Sequence, residues 1–240
     1  MRRRVDPSIS PKARVLSWIY DRLIGTLGPQ GWWPAKSRLE ICVGVILTQH
    51  TAWTNVEKAI RRLKAARPLT VWSLLRQSPK RLAQLIRPAG SFNVKAKRLR
   101  AFLLYFQSRY GGNFKKMSRR GGASLRAELL GVHGLGPESV DAILLYAGQK
   151  PFFVIDSYTR RILSRHGMLE EGAPYHEAQD LLMDHLPHSV ERFNEYHALL
   201  VEVGKRFCRR RPRCWECPLD PLPRTASGCR RFVAIREKAA

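Results

Sequence analysis

The run Val132-His133-Gly134-Leu135-Gly136-Pro137-Glu138-Ser139-Val140 admits little besides a tight turn that delivers the chain into a new helix. Proline at a first helical position gives up no hydrogen bond, and an acid in the first turn suits the positive end of the helix dipole. Two glycines ahead of that start leave the backbone bare, so its amides can come close to a phosphate. Asp156 follows 20 residues after Gly136, at the end of the apolar run Phe152-Phe153-Val154-Ile155 and at the lip of another helix. Asp and Ser are both favoured N-caps, so one of Asp156 and Ser157 should cap that helix. Capping holds a carboxylate ionised and does not bar it from chemistry.

Helical periodicity dominates elsewhere, and strand alternation is scarce. Leu39, Cys42, Val43, Ile46 and Leu47 form one apolar stripe ending at Thr48-Gln49-His50-Thr51. A capping box, Thr54 with Glu57, is expected to open the next helix, along which Val56, Ala59, Ile60 and Leu63 keep helical spacing. Further helices are expected from Ser78-Pro79 to about Pro88, over 94–110, 137–147 and 158–166, and near 175–186 and 189–207. The first dozen residues and the tail after Cys208 carry little pattern. The fold class is all-α.

Lysine and arginine number 43 against 19 acidic residues, a formal charge of +24. Such a balance predicts salt-dependent attraction to polyanions without choosing among DNA, RNA and acidic membrane. No apolar window is long enough to span a bilayer. The start, Met1-Arg2-Arg3-Arg4-Val5-Asp6-Pro7, has no apolar stretch after its charges, so no secretory signal is expected and the chain reads as cytoplasmic. Four of its cysteines crowd one end: Cys208, Cys214, Cys217 and Cys229 are separated by five, two and eleven residues. In an intracellular chain that grouping favours a metal over disulfides, and spacing leaves Zn²⁺ and an iron–sulfur cube both open. Cys42, on an apolar helix face, reads as a buried hydrophobe. Arg209, Arg210, Arg211 and Arg213 lie between the ligands, where a metal-fixed loop would be well placed to track phosphates. Lys95, Lys97, Arg98 and Arg100 suggest a second basic patch.

Trp32-Trp33 sits in a Gly/Pro-bounded loop, and Trp53 follows a polar one. Aromatics on loops suit stacking against an extruded base, since flipping has an unstacking cost that must be recovered.

The arrangement from Gly134 to Asp156 resembles the helix-hairpin-helix DNA glycosylases of the endonuclease III type. The likeness runs from about Trp32 to Cys217 and takes in Leu47-Thr48-Gln49 and Asn93-Val94-Lys95-Ala96-Lys97. It implies a six-helix barrel over 30–150 that carries the hairpin, and a discontinuous helical domain, 1–29 with 151–240, that carries the cysteine loop. It implies a monomer, nucleoid-associated, whose partner is double-stranded DNA containing damaged bases. Gly134, Leu135, Gly136 and Ser139 would bind that DNA, Gln49 would fill the gap left in the duplex, and Asp156 would be catalytic. It favours a 4Fe–4S cluster on Cys208, Cys214, Cys217 and Cys229, with Zn as the alternative. The first gap is one residue shorter than the family's and the last much longer.

Bifunctional members carry a lysine on the helix just after the hairpin, where this chain has Glu138. An amine there attacks C1′ and forms a Schiff base that permits strand cleavage, and a carboxylate cannot do so. The implied activity is therefore a monofunctional glycosylase in which water replaces the amine. Trp32-Trp33-Pro34, Thr48-Gln49 and the hairpin together resemble the 3-methyladenine branch, so alkylated purines are the expected substrates. Such bases are cationic, leave readily, and are attracted to an indole face. Two alternatives stand beside this reading: a glycosylase/lyase acting on oxidised or mismatched bases through another amine such as Lys205, and a non-catalytic DNA-binding module.

Overall fold

Helix ends in this chain follow side chains that can cap and glycines that can turn. The computed structural model describes residues 10–222 and contains no strand among them, as the periodicity predicts. Those residues divide into two compact units. One runs from Trp33 to Phe152, and the other joins the residues up to Trp32 with those from Phe153 onward.

The Trp33–Phe152 unit is built on α2 (Arg38–Thr48), capped by Ser37, whose hydroxyl accepts from Glu40 N at 3.2 Å. Cys42, Val43, Ile46 and Leu47 are wholly buried, the stripe read from the sequence. Burial pushes the Cys42 thiol far above its ordinary range, so it stays protonated and inert. Against α2 pack α3 (Trp53–Ala66) and α6 (Phe92–Tyr110). The last ends at Gly111 in the left-handed conformation, whose N–H bonds Gln107 O at 2.8 Å. Short helices α4 (Val71–Leu75), α5 (Pro79–Leu85) and α7 (Phe114–Ser118) fill in around α6. Phe102, Phe106, Leu99 and Leu103 are buried along it, each contributing about 2 kcal/mol relative to exposure.

The start of α3 departs from expectation. Its N-cap is Ala52, with no side-chain cap bond, and Thr54 is an exposed residue of the first turn rather than the cap. The ring of Trp53 lies edge-on to Trp33 at 5.3 Å, and burying that aromatic surface outweighs a capping hydrogen bond worth about 1 kcal/mol. The second basic patch is also not formed. Lys95 is buried, and its ammonium donates to Leu47 O, Thr51 Oγ1 and Ala89 O at 2.6–2.7 Å. Arg100 donates to Leu75 O and Gln77 O, which leaves Lys97 as the fully exposed member. Carbonyls at helix ends lack intrahelical partners, and these cations satisfy them.

The turn falls between α8 (Gly122–Leu130) and α9 (Pro137–Ala142), capped by Gly136. Arg126 on α8 meets Asp141 on α9 in two parallel bonds, Nε to Oδ1 at 2.7 Å and Nη2 to Oδ2 at 3.0 Å, with the carboxylate fully buried. Beyond α9 the backbone widens into a π-helical turn, Ile143–Ala147, where a continuous α-helix was expected.

In the other unit α12 (Val190–Arg206) packs against α1 (Pro11–Leu27) and α10 (Ser157–Arg165), and α11 (Tyr175–Met183) carries Gln179, whose Nε2 donates to Phe153 O at 2.7 Å. Tyr196 is fully buried and donates to Leu16 O at 2.9 Å, while Phe153 stacks edge-on to Phe193 and Tyr196.

Removing Arg126 would leave the Asp141 carboxylate buried without its bidentate partner. Arg126→Ala should therefore cost about 3–5 kcal/mol in denaturant unfolding, far more than the exposed Arg119→Ala.

Candidate active site and nucleic-acid interface

The hairpin is packed from within at Leu135 and left bare at Gly136. Leu135 is 6% exposed, so its side chain anchors the turn from within and only its backbone faces outward. Gly134 has φ +82°, and a Cβ there would meet Arg98 Cγ at 2.2 Å. The glycine is required by the arginine that lies across it as well as by the turn. Gly136 differs: nothing lies within 4 Å of where its Cβ would be, and no side chain caps the first turn of α9. That open helix start is where a phosphate could approach. Ser139 is buried, and its hydroxyl accepts from Gln49 Nε2 at 2.9 Å. Gln49 Nε2 also donates to Gly134 O at 3.1 Å, and its Oε1 accepts from Arg98 Nη1 at 2.6 Å.

Trp33, Trp53 and Tyr146 come together in the same unit. Trp33 is edge-on to Trp53 at 5.3 Å and tilted on Tyr146 at 5.1 Å, and a Cβ on Gly44 would touch its indole at 3.3 Å. Trp32 belongs to the discontinuous unit, where the Lys205 ammonium sits 5.3 Å over its ring.

Asp156 is the N-cap of α10. Its Oδ1 accepts from Thr159 N at 2.7 Å, and Thr159 is fully buried. Oδ2 lies 3.8 Å from Nε2 of His197 on α12. Among the described residues no lysine or arginine pairs with this carboxylate, and its side chain keeps 14% exposure. Burial lowers the pKa of His197 below the ordinary value; Asp156 pulls it up, and Lys205 adds to the fall. Burial thus favours the neutral imidazole beside this carboxylate.

Cys208, Cys214 and Cys217 line one pocket with Ile162, His166, Val203, Phe207, Pro212 and Leu219. None of the three is in a disulfide. Arg165 Nη1 donates to Cys208 Sγ at 3.3 Å and to Arg209 O at 2.6 Å, and Arg161 Nε donates to Cys208 O at 2.7 Å. Cys229, expected as the fourth ligand, lies outside the described residues. Arg209, Arg210 and Arg211 are exposed, and among the described residues none pairs with a carboxylate, whereas Arg213 pairs with Glu216 at 2.6 Å.

Residues 43–188 match the model of the HhH-GPD superfamily of base excision DNA repair proteins, more than half of the chain. The chain belongs to that superfamily. It is 43% identical over 210 residues to a protein of Methanocaldococcus jannaschii, MJ1434, whose name assigns it to the DNA repair glycosylases; the alignment covers 87% of this chain and 95% of that one. Among solved structures it is similar to the Helicobacter pylori 3-methyladenine DNA glycosylase MagIII bound to 1,N6-ethenoadenine, with a TM-score of 0.70 and 25% identity over 81% of this chain and 97% of that one. A non-covalent endonuclease III–DNA complex shares the fold at a TM-score of 0.76 and 20% identity, covering 94% of this chain and 98% of that one. Membership bears out the reading of this HhH-GPD chain as a DNA glycosylase of base excision repair, and of damaged DNA as its partner. Among the described residues no helix is long and apolar enough to cross a membrane.

In each unit, residues beside these candidate groups escape the sequence reading. Tyr146 was one apolar position of a helix, and only the π-helical turn shows why it meets Trp33. His197 sat inside a long helix with nothing nearby in sequence to mark it. Arg98 had been grouped with surface charges.

Because folding favours neutral His197, the unfolded chain binds more protons near its ordinary pKa of about 6.5. The stabilising contribution is present above that pH and is lost as pH falls through and below it. Melting temperatures between pH 8 and 5 should therefore drop toward acid, and His197→Gln should flatten that slope.

Proposed function

We propose that this protein is a monofunctional DNA glycosylase that hydrolyses the N-glycosidic bond of alkylated purines such as 3-methyladenine. The observation that carries the reading is the Asp156 carboxylate, held by a helix start, partly exposed and unpaired with any lysine or arginine. Glu138, exposed on α9, stands where an amine would be needed for lyase chemistry. Asp156 stabilises the positive charge that develops at C1′ as the bond to the base breaks, and it orients the attacking water and accepts its proton. The electron pair of the broken bond leaves with the base. An N-alkylated purine carries a positive charge before cleavage and departs neutral, so the site needs no general acid. Trp33 and Trp53, both half-buried, offer electron-rich ring surface to such a base, with Tyr146 buried against Trp33, and MagIII, whose structure holds an ethenoadenine, is similar over most of the chain.

An iron–sulfur cluster on the cysteine loop is read from its set of thiols; among the described residues no group of three ligating side chains is placed to hold a metal ion. Cys208, Cys214 and Cys217, none of them in a disulfide, line one pocket with apolar residues, His166 and Asp220, a guanidinium donates to Cys208 Sγ, and Cys229 would be the fourth ligand. When bound, a 4Fe–4S cluster would tie the loop that carries Arg209, Arg210 and Arg211, whose side chains then meet DNA phosphates. Arg161 and Arg165 hold the carbonyls of Cys208 and Arg209 in place for it.

A glycosylase/lyase reading has one specific observation in its favour, the Lys205 amine over Trp32 in the unit that bears Asp156. Borohydride trapping on abasic DNA separates the two, since a covalent adduct requires a Schiff base. The expected outcome is release of free alkylated base with no trapped adduct. Asp156→Asn should lower single-turnover release about a hundredfold to a thousandfold while leaving duplex affinity near wild type. A protein that binds damaged duplex and never releases a base would instead be a binding module. Purified protein should absorb in the visible and carry about four irons per chain, and Cys214→Ser should abolish both signals.

A further inference from the structure

The segment between α2 and α3 is held on every side except at one residue. Thr51 N donates to Thr48 O at 3.0 Å, Thr51 Oγ1 donates to Ala89 O at 2.6 Å, and the Lys95 ammonium ties Leu47 O, Thr51 Oγ1 and Ala89 O together. Gln49 has committed its whole amide: Nε2 to the hairpin at Gly134 O and Ser139 Oγ, and Oε1 to Arg98. Arg98 in turn lies flat on Gly134. Swinging Gln49 into a duplex would break three hydrogen bonds and leave the buried Ser139 hydroxyl and a hairpin carbonyl without that donor. His50 is the opposite case. It is exposed, its φ of +51° places it in the left-handed region that non-glycine residues seldom adopt, and its imidazole makes no hydrogen bond among the described residues. Unfavourable backbone at an exposed loop tip persists where the surroundings over-determine it, and here they do.

We propose that His50, and not Gln49, is the side chain that enters the duplex and occupies the space vacated by the extruded nucleotide, while Gln49 braces the loop against the hairpin. The inference rests on the reading above that a nucleotide is extruded. A flat imidazole can stack between the flanking bases, as aromatic side chains do on single strands, and its ring nitrogens can meet the edge of the base left opposite. Lys95 and Arg98 become positioning residues: one fixes the loop and the other fixes the brace.

Two measurements on the full chain test this. The first compares single-turnover release of an alkylated purine from a duplex and from the same strand unpaired, because only the duplex has a gap to fill. His50→Ala should lower the duplex rate about tenfold more than the single-strand rate, and His50→Phe should recover part of that difference. Gln49→Ala should slow both substrates alike and lower the melting temperature. The second needs no base release: affinity for a duplex holding a tetrahydrofuran abasic analogue relative to the intact duplex. Wild type should prefer the former, and His50→Ala should lose about tenfold of that preference while Gln49→Ala keeps it. A His50→Ala protein with both ratios unchanged overturns the proposal, as does a Gln49→Ala protein that alone loses them, or a wild type without preference for the abasic analogue. If no base is released from any substrate, the glycosylase reading fails, and the second measurement still decides the role of His50.

Discussion

What the hairpin can grip depends on the angle between α8 and α9, and one ion pair fixes that angle. Asp141 is fully buried, so its charge must be met inside the protein, and Arg126 meets it with two parallel bonds. The desolvation cost of such a pair cancels much of its attraction, and an apolar pair of similar volume could hold the helices as tightly. The gain is in geometry. A guanidinium fork and a carboxylate admit few relative placements, whereas two leucines slide. Leu135 buried beneath the turn and Arg98 laid across Gly134 then leave the bare start at Gly136 as the face that remains open.

The same economy governs Asp156. A capping carboxylate spends one oxygen on a backbone amide and keeps the other, so holding the helix and the proposed role in the reaction use different atoms. His197, close to the second oxygen, would neutralise it if it were charged. Burial opposes that, and Lys205 on the same helix works in the same direction. The carboxylate is thereby restrained without being consumed by a salt bridge, which is the condition for meeting positive charge that appears only as the glycosidic bond lengthens.

Helix identity was legible because apolar spacing and punctuation agree in this chain. The stripe from Leu39 to Leu47, the glycine stops at Gly111 and Gly148, and Pro137 after Gly136 each carry local information that the structure follows. What stayed hidden is set by partners far away in sequence. Thr54 looks like a cap until Trp53 is seen against Trp33, 20 positions earlier. Lys95 and Arg100 read as surface cations because no local pattern reveals unpaired carbonyls waiting for them, and Arg98 does because its partner is the side chain of Gln49. Trp32 and Trp33 look alike in sequence, yet the Lys205 ammonium lies over the ring of the first and Trp53 and Tyr146 meet the second. Gln49 could be singled out, but the three bonds that commit it to Gly134, Ser139 and Arg98 span 85, 90 and 49 positions.

The absence of a lysine from position 138 and the character of the proposed lesion explain one another. An amine nucleophile helps most with a neutral base, whose departure must be driven. A purine alkylated on nitrogen already bears the charge that makes it leave, so the barrier that remains lies in the sugar, where an oxocarbenium-like centre forms. Negative charge placed nearby and a positioned water are then sufficient, and an aromatic surface that attracts a cation adds recognition at the same time. A carboxylate at position 138 costs such an enzyme nothing, and it adds negative charge to the positive end of α9.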